Sequence, residues 1–242
     1  MALSFGSRDP GAGRIFHLPA RRTARLPRNR MMRKIAYIGA GRLAEQLASL
    51  LEPSLAAGSF RSVYFGLPAE GRAGKSVVPF ERYLDDDFGD CEFYLALGYR
   101  QLQKKRSVLE ALRSSGRKLP TLMHSAAYVH PSSKIGGGCA IYPGVVIGPA
   151  CAIEGGVLLN TAVNLAHDVW IGEASYLSPS VTVSGFCRIG AECFLGTGAL
   201  LSNDVAIGDR CRLGIGSVVT HALPDDTQGL GNPFSVRNFQ LT

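Results

Sequence analysis

The sequence predicts a Rossmann-like α/β domain followed by an all-β parallel β-helix, and three observations carry that prediction. Between Val129 and Val219 an aliphatic residue recurs at every sixth position without a break. Before it, Lys34–Leu51 reads as a short apolar strand, a glycine-rich turn and an amphipathic helix. The excess positive charge is confined to the first 33 residues, which leaves the rest of the chain neutral. The 242 residues therefore divide into a basic extension (1–33), a small α/β domain (34–128), the repeat (129–224) and a C-terminal segment (225–242).

Residues 1–33 hold eight arginines and one acid, Asp9, so they alone supply 8 − 1 = +7, the whole formal net charge. A neutral body gives no surface for tracking phosphates, and nucleic acid is not an expected partner. The extension has no apolar core of the kind a secretory signal needs. No run reaches the ~18 apolar residues of a membrane helix, so no span is expected and the protein should be soluble. With 46% hydrophobic and 19% charged residues the chain reads as globular.

The α/β domain opens on Lys34-Ile-Ala-Tyr-Ile-Gly39-Ala-Gly41-Arg42-Leu43-Ala44, a GxGxxA turn that brings helix N-terminal amides to a phosphate. Phe60–Phe65, Ser76–Phe80 and Cys91–Leu97 read as further strands, Gln101–Ser114 as a helix and Pro120–His124 as a last strand. A dinucleotide fold carries an acid at the end of its second strand, roughly 20 residues after the glycines. Here that strand ends Phe65-Gly66 and the nearest acid is Glu70, which disfavours NAD and leaves a single nucleotide or a nucleotide sugar.

The repeat runs Val129, Ile135, Ile141, Ile147 and onward to Leu213 and Val219, sixteen aliphatics in all. Four residues after nearly every one stands a small side chain, among them Cys139, Cys151, Cys187, Cys193 and Cys211. Five of the six cysteines therefore fill a packed interior, which fits a reduced, cytoplasmic setting better than disulfides. Gly136, Gly148, Gly172, Gly190, Gly196, Gly208 and Gly214 directly follow an aliphatic, where they are expected to give the positive φ of a tight corner. Strands six residues apart leave no room for crossover helices. Three hexads instead close one triangular coil of about 18 residues, and coils stack ~4.8 Å apart.

His167 stands inside the unbroken repeat but off the inward column, in Asn164-Leu165-Ala166-His167-Asp168. Imidazole suits proton removal near neutral pH, and an adjacent carboxylate, Asp168, strengthens such a base. The bland alternative is a solvated surface histidine. One coil after His167 comes Gly185, whose amide would stack beside it and is a candidate donor to a developing oxyanion.

A small Gly-turn domain followed directly by a hexad coil resembles the hexapeptide-repeat sugar acetyltransferases, the group of the sialic-acid O-acetyltransferases and UDP-4-amino-sugar N-acetyltransferases. The similarity covers about 34–235. It implies a left-handed β-helix, acetyl-CoA as co-substrate without a metal, and a homotrimer with the cleft between neighbouring β-helices. It implies His167 as general base tuned by Asp168, and Gly185, Thr197 and Ile215 beside acetyl-CoA. Where relatives carry a second histidine on the thioester, this chain has Tyr176. Gly39, Gly41, Arg42 and Leu43, with Gly98 and Arg100, match the nucleotide-sugar site, and Gly231-Asn232-Pro233 a segment near the CoA. The implied reaction acetylates the amino group of a nucleotide-linked amino sugar in polysaccharide biosynthesis. A sugar hydroxyl as acceptor, and a non-catalytic nucleotide-sugar-binding protein, stay open as alternatives. A γ-type carbonic anhydrase uses the same coil, but it needs a spaced histidine set that His167 lacks.

Overall fold

A computed structural model describes residues 32–55, 58–66 and 77–237, which fall in one compact unit, Met31–Thr242. The basic extension up to residue 31, and Glu70, lie outside the described residues. Four parallel strands form the first sheet: β1 (Arg33–Ile38), β2 (Phe60–Gly66), β3 (Val77–Pro79) and β4 (Glu92–Leu95), in the order β3-β2-β1-β4. β1 is apolar on both sides because both of its faces are covered. Ile35 and Tyr37 face helix α1 (Arg42–Leu51), which buries Ala44, Leu47, Ala48 and Leu51. Ala36 and Ile38 face helix α2 (Leu102–Ser114), which buries Val108, Leu109 and Leu112. Helices on both faces of a parallel sheet make the Rossmann-like arrangement the glycine turn predicts.

The second part is a left-handed parallel β-helix. Its two-residue strands stack into three faces: a five-stranded face (Lys134–Ile135 to Ala206–Ile207), a six-stranded face (Tyr128–Val129 to Val218–Val219) and an eight-stranded face that ends in Gln228–Leu230 and Ser235–Val236. From Ile141 to Val219 every aliphatic of the column is buried, so each contributes roughly 1.5–3 kcal/mol. Leu122–Met123, expected to close the α/β domain, pairs instead with Ala140–Ile141 as the first rung of the eight-stranded face. No helix among the described residues is long and apolar enough to cross a membrane.

The corner glycines work differently from the expectation. The left-handed φ falls two residues further on and is borne mostly by other residues: Ala150, Ala162, Asp168, Ala174, Ser180, Phe186, Glu192, Asp204 and Arg210 lie between +56° and +63°. Gly136, Gly148, Gly172 and their equivalents have ordinary φ. They are glycine because coils stack closely: a Cβ on Gly148 would stand 2.5 Å from the Ala166 carbonyl oxygen of the next coil. Close approach, not backbone freedom, selects glycine there.

The small fourth-position residues do more than fill space. Cys151, Cys187 and Cys193 each direct Sγ 3.0 Å from the carbonyl oxygen fifteen residues on, and the Ser175 hydroxyl donates likewise at 2.8 Å. All six cysteines are free and buried.

The two parts share one packed junction. Leu109 of α2 lies over Gly138 and Gly156, where a Cβ would meet its methyls at 3.5 and 3.1 Å. Arg106 and Arg113 pair with Glu173, and Arg106 also with Glu192. Tyr99 packs on Tyr176 and Phe194. Between these contacts Lys105 is fully buried, its ammonium has no hydrogen-bond partner among the described residues, and desolvation pushes its pKa down to about 8.

Candidate active site

His167 sits at the edge where the six-stranded face turns into the five-stranded one, between Asn164–Leu165 and Trp170–Ile171. Asp168 holds the left-handed φ of this corner at +58°, and its amide donates to the Pro149 carbonyl. Its carboxylate lies 2.9 Å from His167 Nδ1. With Nδ1–H donating to Asp168, Nε2 is left as the acceptor. Both side chains are about half exposed. The Phe186 ring meets the imidazole edge to face, with centroids 4.9 Å apart.

The coil spacing puts Gly185 under this ring, since Asn164 pairs with Thr182. A Cβ there would stand 2.6 Å from His167 Cε1 and 2.7 Å from Nε2. Among the described residues no acceptor pairs with the Gly185 N–H, although its carbonyl accepts from Asp204. The half-exposed imidazole therefore stands directly over the buried Gly185 backbone.

The other residues expected beside acetyl-CoA lie elsewhere on the same chain. Thr197 and Ile215 stack on the edge between the eight- and six-stranded faces, tied by the bond from Gly216 N–H to the Thr197 carbonyl. Tyr176 is on the eight-stranded face, 9% exposed beneath Tyr99, and its hydroxyl accepts from Asn160 Nδ2 at 3.1 Å. Gly231 accepts from the Val218 amide beyond the last coil. The edges bearing His167 and Ile215 flank the six-stranded face, whose outward column exposes Tyr128, Val146 and Leu200.

A cavity of about 270 Å³ opens at the C-terminal ends of β1 to β4 and takes in Gly39, Gly41, Arg42, Leu43 and Gly98. Ligands of open parallel sheets bind at this crevice. Gly39 has φ +121°, and a Cβ on it would strike the Ala96 carbonyl oxygen at 2.5 Å, so the fold itself demands glycine. Gly41 and Gly98 are different. Both have extended backbone any residue adopts, and a Cβ on either meets nothing within 4 Å. Their missing side chains leave open space where the cavity lies. Arg100 is outside the lining, with its guanidinium 5.8 Å from the Tyr99 ring centroid.

Sequence reading missed Phe80, Glu81, Gln101 and Lys104, which complete the lining. They come from the end of β3 and the start of α2, and only the strand order brings them to the glycine turn. Lys104 Nζ rests 3.6 Å from the Phe80 ring centroid. Among the described residues no group of three His, Cys, Asp or Glu side chains is placed to hold a metal.

The family model of the GMPPB C-terminal domain matches residues 123–223. No curated protein matches in sequence. The acetyltransferase domain of PglB from Neisseria gonorrhoeae, solved also with acetyl coenzyme A, superposes with TM-score 0.76 at 30% identity, covering 85% of this chain and all of that one. A perosamine N-acetyltransferase mutant from Caulobacter crescentus, in complex with CoA and GDP-perosamine, matches with TM-score 0.74 at 27% identity over 86% of this chain and 97% of its own. WeeI from Acinetobacter baumannii shares the fold at 20% identity and TM-score 0.74, over 86% of this chain and 100% of its own. With a Gly-turn α/β part and a hexad β-helix in the same order, and 30% identity across the whole Neisseria domain, the chain belongs to the hexapeptide-repeat sugar acetyltransferases and is an acyltransferase.

Proposed function

We propose that the chain transfers the acetyl group of acetyl-CoA to the amino group of a nucleotide-linked amino sugar. The observation that carries this reading is His167, hydrogen-bonded through Nδ1 to Asp168 and half exposed, standing over Gly185, whose N–H has no acceptor among the described residues. His167 Nε2 takes a proton from the attacking amine as its nitrogen bonds to the thioester carbonyl carbon. The Gly185 N–H donates to the oxygen as it gains charge. The C–S bond then breaks, and the thiolate leaves with the proton returned from imidazole. No acyl-enzyme is required, and the buried repeat thiols stay out of the chemistry.

In this reading the 34–128 part holds the nucleotide sugar at Gly39, Gly41, Arg42, Leu43 and Gly98, with Arg100 nearby. The 129–224 part holds the thioester. The structures of relatives in complex with acetyl coenzyme A, or with CoA and GDP-perosamine, support both ligand classes.

The active assembly is a homotrimer. His167 occupies one edge of the β-helix, whereas Thr197 and Ile215 occupy another. A cleft containing all three residues needs the first edge of one copy against the second edge of the next. A contact between two different surfaces is heterologous, and it closes into a ring. Tyr128, Val146 and Leu200 are exposed on the face between those edges, in a column that also carries Asn164 and Thr182, and they give the copies a reason to associate. In this reading the reaction belongs to the cytoplasm and to polysaccharide biosynthesis.

The test is thiol release from acetyl-CoA with a panel of UDP-, dTDP- and GDP-linked amino sugars, comparing wild type with His167→Ala. Turnover on one sugar, reduced about 10²- to 10⁴-fold in the variant, is the expected result. A folded protein that turns over none of them rejects the amine-acceptor reading.

A further inference from the structure

We propose that Glu81 binds the ribose hydroxyls of the nucleotide, supplying from the turn after β3 the carboxylate that β2 lacks. The proposal rests on the nucleotide-sugar reading above. In parallel sheets of this kind the ribose lies past the end of the second strand, where an acid accepts hydrogen bonds from its hydroxyls. Here β2 ends in Phe65-Gly66, and neither residue can do so.

β3 is the neighbour of β2, and Gly66 is paired with Pro79. Glu81 follows two residues after that pair, at the rim of the same cavity as Gly41. β3 ends at Pro79 and the chain turns into a short 3-10 helix at Phe80–Leu84, so Glu81 lines the cavity from that turn, together with Phe65 and Gly66 at the end of β2.

The charges around it leave this carboxylate available. Arg82, next in sequence, is held by Asp85 and Asp87. Lys104 lies over the Phe80 ring and makes no ion pair with Glu81. Among the described residues Glu81 has no hydrogen-bond or ionic partner, although it stands in a cavity with two cations, Arg42 and Lys104. An ionised carboxylate only accepts, and a ribose diol offers it two adjacent donors beside a diphosphate. The cations suit the diphosphate, which a carboxylate repels. Glu81 thus belongs to the sugar of the nucleoside and Lys104 to its phosphates.

Titration calorimetry with UDP, GDP and their 2′-deoxy counterparts tests the assignment on wild type, Glu81→Gln and Lys104→Gln. Wild type should favour the ribonucleotides by about tenfold or more, the yield of a charge-assisted hydrogen bond. Glu81→Gln should lose that preference and bind ribonucleotides about tenfold more weakly. Lys104→Gln should weaken ribo and deoxy ligands alike and keep the preference. An unchanged preference in Glu81→Gln, or none in a wild type that binds both ligands, overturns the role of Glu81 alone. A wild type that binds no nucleoside diphosphate overturns the nucleotide-sugar reading, and the ribose assignment with it.

Discussion

The α-carbon of Gly185 lies beneath the imidazole of His167, so close that a β-carbon would come within 2.7 Å of Nε2. Even one methyl group must therefore push the ring aside. Gly185→Ala is expected to lower kcat by about 10²-fold, because a displacement near 1 Å at a reacting group costs that much. Gly185 is not a positive-φ position, so the variant should keep its melting temperature. Thiol-release kinetics beside a thermal melt check both halves.

Asp168→Asn separates charge from backbone. Asparagine tolerates the left-handed φ that Asp168 adopts, so stability should hold. The amide can donate to Nδ1 and favour the wrong imidazole tautomer, and kcat should fall by about 10²-fold or more. Full activity in a folded Asp168→Asn protein removes Asp168 from the mechanism.

The two glycine-related corner positions should respond oppositely. Gly148→Ala drives a methyl against the next coil's backbone and should cost about 2–4 kcal/mol in chemical denaturation. Ala150→Gly, two residues away at φ +56°, relieves a left-handed alanine and should be neutral or stabilising by about 1 kcal/mol. Equal losses at both sites would contradict the stacking explanation.

Lys105 makes stability depend on pH in the alkaline direction. Its buried ammonium loses its proton near pH 8, whereas the unfolded lysine keeps its own to about 10.5. Between those values the unfolded state binds more protons, so folding is favoured as pH rises. The penalty below that window is roughly 3 kcal/mol. Lys105→Met should exceed wild type in unfolding free energy at neutral pH, and the gap should narrow by about 2 kcal/mol by pH 10. A gap that does not change with pH shows that the ammonium is not desolvated as described.

Leu200→Glu places a charge in the exposed apolar column of the six-stranded face. If the proposed trimer forms through this face, sedimentation velocity should show it giving way to monomer, with acetyl transfer lost while far-UV circular dichroism is retained. A Leu200→Glu protein that stays trimeric moves the interface to another face.

The β-helix was legible because six-residue spacing is the structure: one side of a coil is one hexad, and the inward columns of aliphatic and small residues are the core. His167 and Gly185 followed from the same counting. So does the separation of His167 from Thr197, since 197 − 167 = 30 residues is one 18-residue coil and two sides more. What that separation means depends on knowing that Ile215 and His167 flank a common exposed face. The corner glycines were misread because a sequence shows a turn residue but not the distance to the next coil. Glu81 and Lys104 stayed hidden for another reason. The cavity draws on residues 39–43, 65–66, 80–81, 96–98, 101 and 104, and only strand order makes them neighbours. Leu122–Met123 looks like any short strand until its hydrogen-bond partner is known.

The thiol-to-carbonyl contacts inside the corners exist only while two successive coils are stacked. Each cysteine is therefore a local gauge of fraying. Cys211 reports on the last coil, and Cys187 becomes reachable only once the middle of the column has opened. Timed alkylation read by mass spectrometry would give the order in which the solenoid unzips, and from which end, without introducing any label.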